Sequence, residues 1–321
     1  MNWIYGAITM KIDAIEQYDA MKQFNTTRFD IFIAACGFES RGIYIGNMIT
    51  TPENGKYVIY FSDRKSEVSS NNREYFEKNN YISISNDLSL GCWLKDNISS
   101  FSSRGNRPIN ILIDYSCMTR VMYGDILRVL FLADQCNPIN LWFAYSLSKY
   151  HTCPPMSFNR NAEPIPGYSY IDSDTSTEKG TALVIGLGCE KNRSEGLIEF
   201  IDPIEKVVFL TDKNSNTNFY NDILKVNKQV LASLPEKSII TYHLSDFMQL
   251  YSKLYSTCLA LREQYRVILA PIGPKPFALA SMLVSLSLSG CDVWRVSGGP
   301  YDEPQDAKPN GKIVLVKVSL K

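Results

Sequence analysis

The segment IDYSCMTR, residues 113–120, gathers an acid, two hydroxyls, a thiol and a guanidinium within eight residues. The apolar run NILI leads into it and VMYGDILRVLFLAD follows, a pattern that predicts a strand, a turn and a helix. Nucleophilic catalysis here would need a base, and because no histidine lies in the turn, Asp114, Glu39 or Lys275 would have to serve. Anion binding is the other chemistry, with Ser116, Thr119 and Arg120 at a helix start that presents free N–H groups. Ser116 and Thr119 can also cap that helix. The segment alone leaves both open.

A second segment, APIGPKPF at 270–277, also stands between an apolar run and an apolar helix. Gly273 allows the backbone to approach a ligand closely, and the prolines suit a first helical turn. Lys275 then projects at the helix start. A helix N-terminus with a neighbouring lysine is suited to a phosphate group.

Two other turns, CGFESR and GLGCEKNR, each carry a glutamate and an arginine after an apolar strand. Glu39 and Glu190 could stabilise a helix N-terminus, whereas Arg41 and Arg193 would oppose the helix dipole there and therefore suggest an anionic ligand. Lys191 replaces the third glycine of GxGxxG, so a dinucleotide fingerprint is not predicted.

An aspartate follows the second predicted strand of each half, at Asp63 and Asp212. An acid at this place in a nucleotide-binding sheet can accept hydrogen bonds from a ribose hydroxyl. A turn or helix-capping aspartate explains the same pattern equally well.

The two halves of the chain align with each other, which predicts an internal duplication. Each half alternates short, continuously apolar strands with helices, as in a parallel sheet covered on both faces. The fold class is therefore α/β, with two tandem Rossmann-like lobes and mainly parallel sheets. The matched segments are 29–49 with 181–201, 57–76 with 206–225, 110–132 with 266–288, and 140–145 with 292–297.

This pattern sets the expected boundaries. An N-terminal lobe spans 1–150, a Pro/Ser-rich linker spans 151–180, and a C-terminal lobe spans 181–321. In residues 1–28, a strand-like WIYGAI and a helix-like DAIEQYDAMKQF extend the first lobe.

The composition indicates which partners and which cellular compartment are expected. Lysine plus arginine and aspartate plus glutamate both number 33, so a long nucleic-acid duplex is not expected as a partner. The eight cysteines form no CxxC pair and only two histidines occur, so neither a metal nor another cofactor is expected. The scattered cysteines suggest a reducing, cytoplasmic compartment without disulfides. No signal peptide or membrane span is predicted, so no membrane partner is expected.

Two fused Rossmann-like lobes with Ser/Thr, Lys and Arg at the strand ends resemble the CARF and SAVED sensor domains of bacterial antiviral systems. The resemblance covers most of the chain as architecture; GFESR and GPKP are not signatures of those families, and no effector domain is recognised. It implies a cyclic oligonucleotide bound across the junction of the lobes, with the output left to a separate effector or ATPase protein.

We therefore expect a nucleotide-binding sensor or regulatory protein whose ligand is a phosphate-bearing nucleotide or a linear or cyclic oligonucleotide held between two pseudo-symmetric lobes. A nucleotide-cleaving enzyme of the phosphodiesterase or N-glycosidase type, with Glu39 or Asp114 as acid or base, is the first alternative. A structural subunit of a multiprotein complex is the second. The expected ligand contacts are Arg41, Asp63, Ser116, Thr119, Arg120, Glu190, Arg193, Asp212, Gly273 and Lys275.

Overall fold

A computed structural model shows an α/β protein with two mostly parallel sheets. It describes residues 10–50, 52, 54–61, 66–85, 88–101, 107–133, 137–153, 159–169, 179–298 and 305–321. The chain divides into two compact units: unit 1 is Met1–Lys149 with Pro304–Lys321, and unit 2 is Tyr150–Glu303. Among the described residues, no helix has the length and apolar character needed to cross a membrane.

Unit 1 is built on a sheet in which five described strands run parallel and two lie antiparallel at one edge. The central strands are continuously buried, which explains their unbroken apolar sequences. The strands are β1 (Ile12–Tyr18), β2 (Ile31–Cys36), β3 (Lys56–Tyr60), β4 (Ile82–Ile84), β5 (Ile109–Asp114), β6 (Ile139–Ser148) and β13 (Pro309–Leu320), in the order β1-β13-β6-β5-β2-β3-β4.

The helices of unit 1 begin at side chains that accept hydrogen bonds from the first turn, such as Asp19, Ser66 and Thr119. They are α1 (Ala20–Thr26), α2 (Glu67–Lys78), α3 (Leu90–Phe101) and α4 (Arg120–Phe131). The helix predicted after CGFESR is instead a short 3-10 helix, Ser40–Ile43. Two glycines, at 42 and 46, lower the helix propensity of this stretch.

Unit 2 has five described parallel strands and one antiparallel edge strand. The strands are β7 (Asn159–Pro164), β8 (Thr181–Gly186), β9 (Glu205–Thr211), β10 (Ile239–Tyr242), β11 (Arg266–Pro271) and β12 (Cys291–Gly298), in the order β10-β9-β8-β11-β12-β7. The helices are α5 (Arg193–Ile201), α6 (Thr217–Val226), α7 (Lys228–Ala232), α8 (Phe247–Leu261) and α9 (Lys275–Ser287).

The parallel strands of both units follow one order. Numbered within each unit as they occur in the chain, they lie as 3-2-1-4-5, so the first and fourth strands are neighbours at the centre. The chain therefore leaves these neighbours in opposite directions, which creates a switch point at their carboxyl ends. The shared order is compatible with a duplication, which stays a prediction.

Two expected boundaries differ from the observed units. The C-terminal lobe was expected to reach residue 321, but β13 pairs antiparallel with β6 and β1 and so belongs to unit 1. The expected linker 151–180 contains β7, which pairs with β12 of unit 2. The local sequence of a strand shows which of its faces is buried, but it does not show which distant strand it pairs with.

The expectation for the N-terminus also changes. WIYGAI lies outside the described residues, and DAIEQYDAMKQF, expected to be helical, divides into β1 and α1. Tertiary pairing of β1 with β13 overrides the local helical pattern there.

The buried thiol of Cys36 yields a pH-dependent prediction. Burial raises its pKa to about 11, whereas a thiol in an unfolded chain titrates near roughly 8.5. Ionisation between these values favours the unfolded chain, so the stabilising contribution present below pH ~8.5 is lost as the pH rises towards 11. Iodoacetamide at pH 8 should alkylate exposed Cys92 and spare Cys36 until urea is added, as peptide mass spectrometry would show. Equal labelling rates in the folded protein would contradict this.

Candidate ligand-binding edges of the two sheets

The two turns of unit 1 that the sequence singles out are neighbours in space. They follow β2 and β5, which are adjacent parallel strands. A Cβ placed on Gly37 would lie 3.0 Å from Cys117 Cβ, and one on Gly42 would lie 3.0 Å from Cys117 Sγ. The absence of side chains at Gly37 and Gly42 thus lets the two turns close on each other at the switch point.

Arg41 is buried inside this edge. Its Nε donates to Glu39 Oε2 at 2.5 Å, and its Nη1 donates to the Tyr145 hydroxyl and to the Ser146 carbonyl, each at 3.0 Å. Burial by itself lowers the pKa of Arg41, but interactions with Tyr145 and Glu39 outweigh it, and the pKa is raised. The guanidinium therefore stays charged and fixes the turn onto β6. Because the chain after Glu39 forms the short 3-10 helix Ser40–Ile43 and not an α-helix, the helix-dipole argument for Glu39 and Arg41 does not apply.

The turn of Arg41 is also held by residues that the sequence pattern did not reveal. Asn72 Nδ2 donates to the carbonyls of Gly37 and Glu39, at 3.0 and 2.9 Å. The amide and hydroxyl of Ser40 both donate to the Asp306 carboxylate. Asp306 is remote in sequence, so local patterns gave no signal for it.

The side chains of Asp114 and Ser116 make structural hydrogen bonds at the end of β5. Asp114 is 2% exposed, and its Oδ1 accepts the Ser116 amide at 2.9 Å. Ser116 Oγ accepts the amide of Ser146 at 2.9 Å. These contacts favour the role of Asp114 as a strand-end cap over that of a catalytic acid, and they give Ser116 a structural partner.

A cluster of tyrosines packs beside Arg41. The rings of Tyr123 and Tyr145 lie 5.1 and 5.3 Å from the ring of Tyr115, centroid to centroid. Burial raises the pKa of Tyr115 and Tyr123 well above the usual value, so both hydroxyls remain protonated. The cluster was missed because its members come from a turn, a helix and a strand.

Thr119 and Arg120 lie at the exposed start of α4. Thr119 is the N-cap, and its Oγ1 accepts the Met122 amide at 3.3 Å, as the sequence predicts. Thr119 is exposed and Arg120 is half-buried. This helix start is therefore the part of the unit 1 edge that is accessible to a ligand.

In unit 2 the switch point is closed by backbone contacts. The amide of Gly273 donates to the Gly186 carbonyl at 2.7 Å, and a Cβ on Gly273 would lie 2.3 Å from the Leu187 carbonyl oxygen. The ring of Phe277 fills the space over Gly186, where a Cβ would lie 2.4 Å from the ring. Gly273 thus allows the backbone after β11 to pass close to the backbone after β8.

Glu190 and Arg193 repeat the ion pair of unit 1. Arg193 is 3% exposed, and its Nη1 lies 2.5 Å from Glu190 Oε2. Asn227 Nδ2 donates to the Gly188 carbonyl at 2.9 Å. Each edge therefore contains a turn fixed by a Glu–Arg pair and by a buried asparagine, and the role of either arginine in ligand binding stays a prediction.

The remaining predicted residues are distributed along the edges. Lys275 begins α9 and is half-buried. Asp212 Oδ1 accepts the amide and the hydroxyl of Ser215, each at 2.8 Å, which is the turn arrangement weighed against a ribose contact. Asp63 lies outside the described residues.

The expectation of a chain without disulfides is wrong. Cys153 and Cys189 are joined by a disulfide in unit 2. The two cysteines lie 36 positions apart and form no recognisable cysteine motif, so the sequence did not pair them.

Within the described ranges, no group of three or more His, Cys, Asp or Glu side chains could hold a metal ion. A scan against protein-family models, a search of curated proteins and a search of solved structures each find no match to this chain. The class defined by the fold is an α/β protein with two mostly parallel sheets.

Proposed function

We propose that the protein binds a phosphate-bearing nucleotide at the carboxyl edges of its parallel sheets and acts as a sensor or regulator. One observation carries the proposal. In each unit, turns that carry charged residues together with glycine or hydroxyl-bearing residues follow the first and fourth parallel strands, which are neighbours. Ligands of open α/β sheets bind at this switch point.

The start of a helix at each edge supplies the phosphate contacts in this proposal. Helix N-termini present backbone N–H groups and favour anions. Thr119 and Arg120 stand at the start of α4, and Lys275 at the start of α9. Arg41 and Arg193 hold the turns at these edges in this proposal, because their guanidinium groups are buried and paired with glutamates.

The finer features belong to the same proposal. The resemblance to CARF and SAVED domains suggests a short or cyclic oligonucleotide as ligand, a separate effector or ATPase partner and an antiviral role. The alignment of the two halves suggests an origin by duplication, and the scattered cysteines suggest a cytoplasmic location. The enzyme alternative has less support, since Glu39 pairs with Arg41 and Asp114 caps the Ser116 amide.

We expect Arg120→Ala and Lys275→Ala each to weaken binding of the ligand by roughly tenfold or more, because each removes a charge-assisted contact. Calorimetry with a panel of mononucleotides and short linear and cyclic oligonucleotides would measure this. Lys95→Ala and Lys225→Ala are the matched controls, because both remove an exposed helical lysine elsewhere in units 1 and 2.

The proposal fails if no member of the panel binds, or if both substitutions at the helix starts leave the affinity unchanged. Ligand turnover that is lost in Glu39→Gln or Asp114→Asn would favour the enzyme instead.

A further inference from the structure

The Cys153–Cys189 disulfide links the segment before β7 to the turn that follows β8. Both cysteines are half-buried, so their sulfurs lie outside the fully packed core. Cys189 stands between Gly188, whose carbonyl accepts from Asn227, and Glu190, which pairs with Arg193. The bond therefore acts directly on one of the turns that form the unit 2 edge.

Free thiols and this disulfide occur together in the described part of the chain. Cys92 is an exposed thiol, and Cys36, Cys258 and Cys291 are buried thiols. Where a reducing compartment keeps such thiols free, a disulfide is usually transient and serves catalysis or redox sensing.

We propose that Cys153 and Cys189 form a reversible thiol–disulfide switch that ties residues 150–153 to the β8–α5 turn when oxidised and releases them when reduced. The reductant is a dithiol. Its thiolate attacks one sulfur and forms a mixed disulfide, while the other sulfur leaves as a thiolate and takes up a proton. The second thiol of the reductant then displaces the remaining protein sulfur. Two electrons pass to the cystine, and the dithiol becomes a disulfide. The reverse exchange with a small disulfide as the oxidant forms the bond again.

Asp222 sets the rate of this exchange. Its Oδ2 lies 3.5 Å from Cys153 Sγ and accepts the Tyr150 hydroxyl at 2.7 Å. The carboxylate repels a thiolate that attacks Cys153, and it disfavours Cys153 as a departing thiolate. Both directions of attack are slowed, so the oxidised form persists until a good reductant reaches it.

Reduction removes the covalent link between residue 153 and the β8–α5 turn. The Tyr150 hydroxyl still donates to Asp222, but Tyr150 is an exposed residue and this hydrogen bond contributes little. The turn itself retains Asn227 and the Glu190–Arg193 pair. We therefore expect the local loosening to be larger at 150–153 than at 187–193.

Hydrogen exchange of the full chain tests the switch. Protection at 150–153 and 187–193 should fall several-fold on reduction, and the double variant Cys153→Ser, Cys189→Ser should match the reduced protein. Cys92→Ser, which removes an unrelated exposed thiol, should behave as the parent chain. Equal protection in the two states, with the bond shown to be broken by thiol mapping, would overturn the proposal.

The role of Asp222 is tested by kinetics. Asp222→Asn keeps an oxygen that can accept from Tyr150 but removes the charge, and it should speed reduction by a dithiol on the order of threefold to tenfold. An unchanged rate would remove Asp222 from the switch.

The regulatory consequence rests on the proposed function: nucleotide affinity at the unit 2 edge should fall on reduction. The two proposals fail separately. If no nucleotide binds in either state but exchange still responds to reduction, the switch stands and the ligand is wrong. If nucleotide binds equally in both states, the site stands and its redox control is wrong.

Discussion

Arg41→Ala is expected to lower the free energy of unfolding of unit 1 by about 3–5 kcal/mol, the range found when one partner of a buried ion pair is removed. The Arg41 side chain is 7% exposed and that of Glu39 is 18% exposed. Alanine would leave the Glu39 carboxylate partly desolvated without its guanidinium. It would also remove the donor to the Tyr145 hydroxyl and the Ser146 carbonyl.

A double-mutant cycle separates the pair from its surroundings. Glu39→Ala combined with Arg41→Ala should cost less than the sum of the single changes, because the second change removes the charge that the first left unpaired. Urea unfolding of the full chain, followed by hydrogen exchange in peptides of β2 and β6, provides the measurement.

Lys78→Ala is the control for this prediction. It breaks the ion pair of Lys78 with Glu74, in which both side chains are exposed, and should leave the unfolding midpoint unchanged. A small effect of Arg41→Ala, comparable to that of Lys78→Ala, would mean that the guanidinium remains solvated and available to a ligand, as the sequence pattern first suggested.

The contrast between Arg41 and Thr119 shows which site features local sequence can predict. Thr119 was expected to cap a helix, and the cap forms, because capping depends on neighbouring residues. Arg41 was expected to face an anion because a cation opposes the dipole of an α-helix. A 3-10 helix forms there instead, and the partner is Glu39, two residues away.

Long-range pairing accounts for most of what the sequence did not reveal. The apolar strands β2, β5, β8 and β11 were readable from their runs of branched residues. The short β4 and β10 were not separated from their surroundings. β13 returns to unit 1 and pairs with strands that are far from it in sequence. Asp306 likewise contacts Ser40, 266 residues away. No periodicity in either segment specifies such a partner.

The closed switch point of unit 2 provides the other prediction with a large effect. Gly273→Ala should destabilise unit 2 by about 3–4 kcal/mol, at the upper end of overpacking costs, with a buried hydrogen bond lost in addition. The new Cβ would lie 2.3 Å from the Leu187 carbonyl oxygen and 2.9 Å from its carbonyl carbon. Both atoms belong to backbone, so no rotamer change relieves the contact, and the bond from the Gly273 amide to Gly186 would have to stretch.

Gly186→Ala offers a matched comparison, because its clash is with a side chain. The new Cβ would lie 2.4 Å from Phe277 Cδ1, and we expect a cost of about 1–3 kcal/mol. Phe277→Leu removes the ring and should restore much of the stability lost in Gly186→Ala. The same change should not rescue Gly273→Ala. Urea unfolding of the four variants, read from hydrogen exchange in β8 and β11, would show this difference.

The two glycine substitutions also bear on function. If Phe277→Leu restored the stability of both variants equally, the backbone at Gly273 would be able to shift. A ligand could then open the edge between β8 and β11 by moving the Phe277 ring. If only Gly186→Ala is rescued, the backbone crossing is fixed. A ligand of unit 2 must then bind outside it, at the start of α9 where Lys275 is half-buried rather than enclosed. The proposed phosphate site lies at that helix start, so the rescue pattern decides whether the nucleotide rests on a rigid edge or displaces part of it.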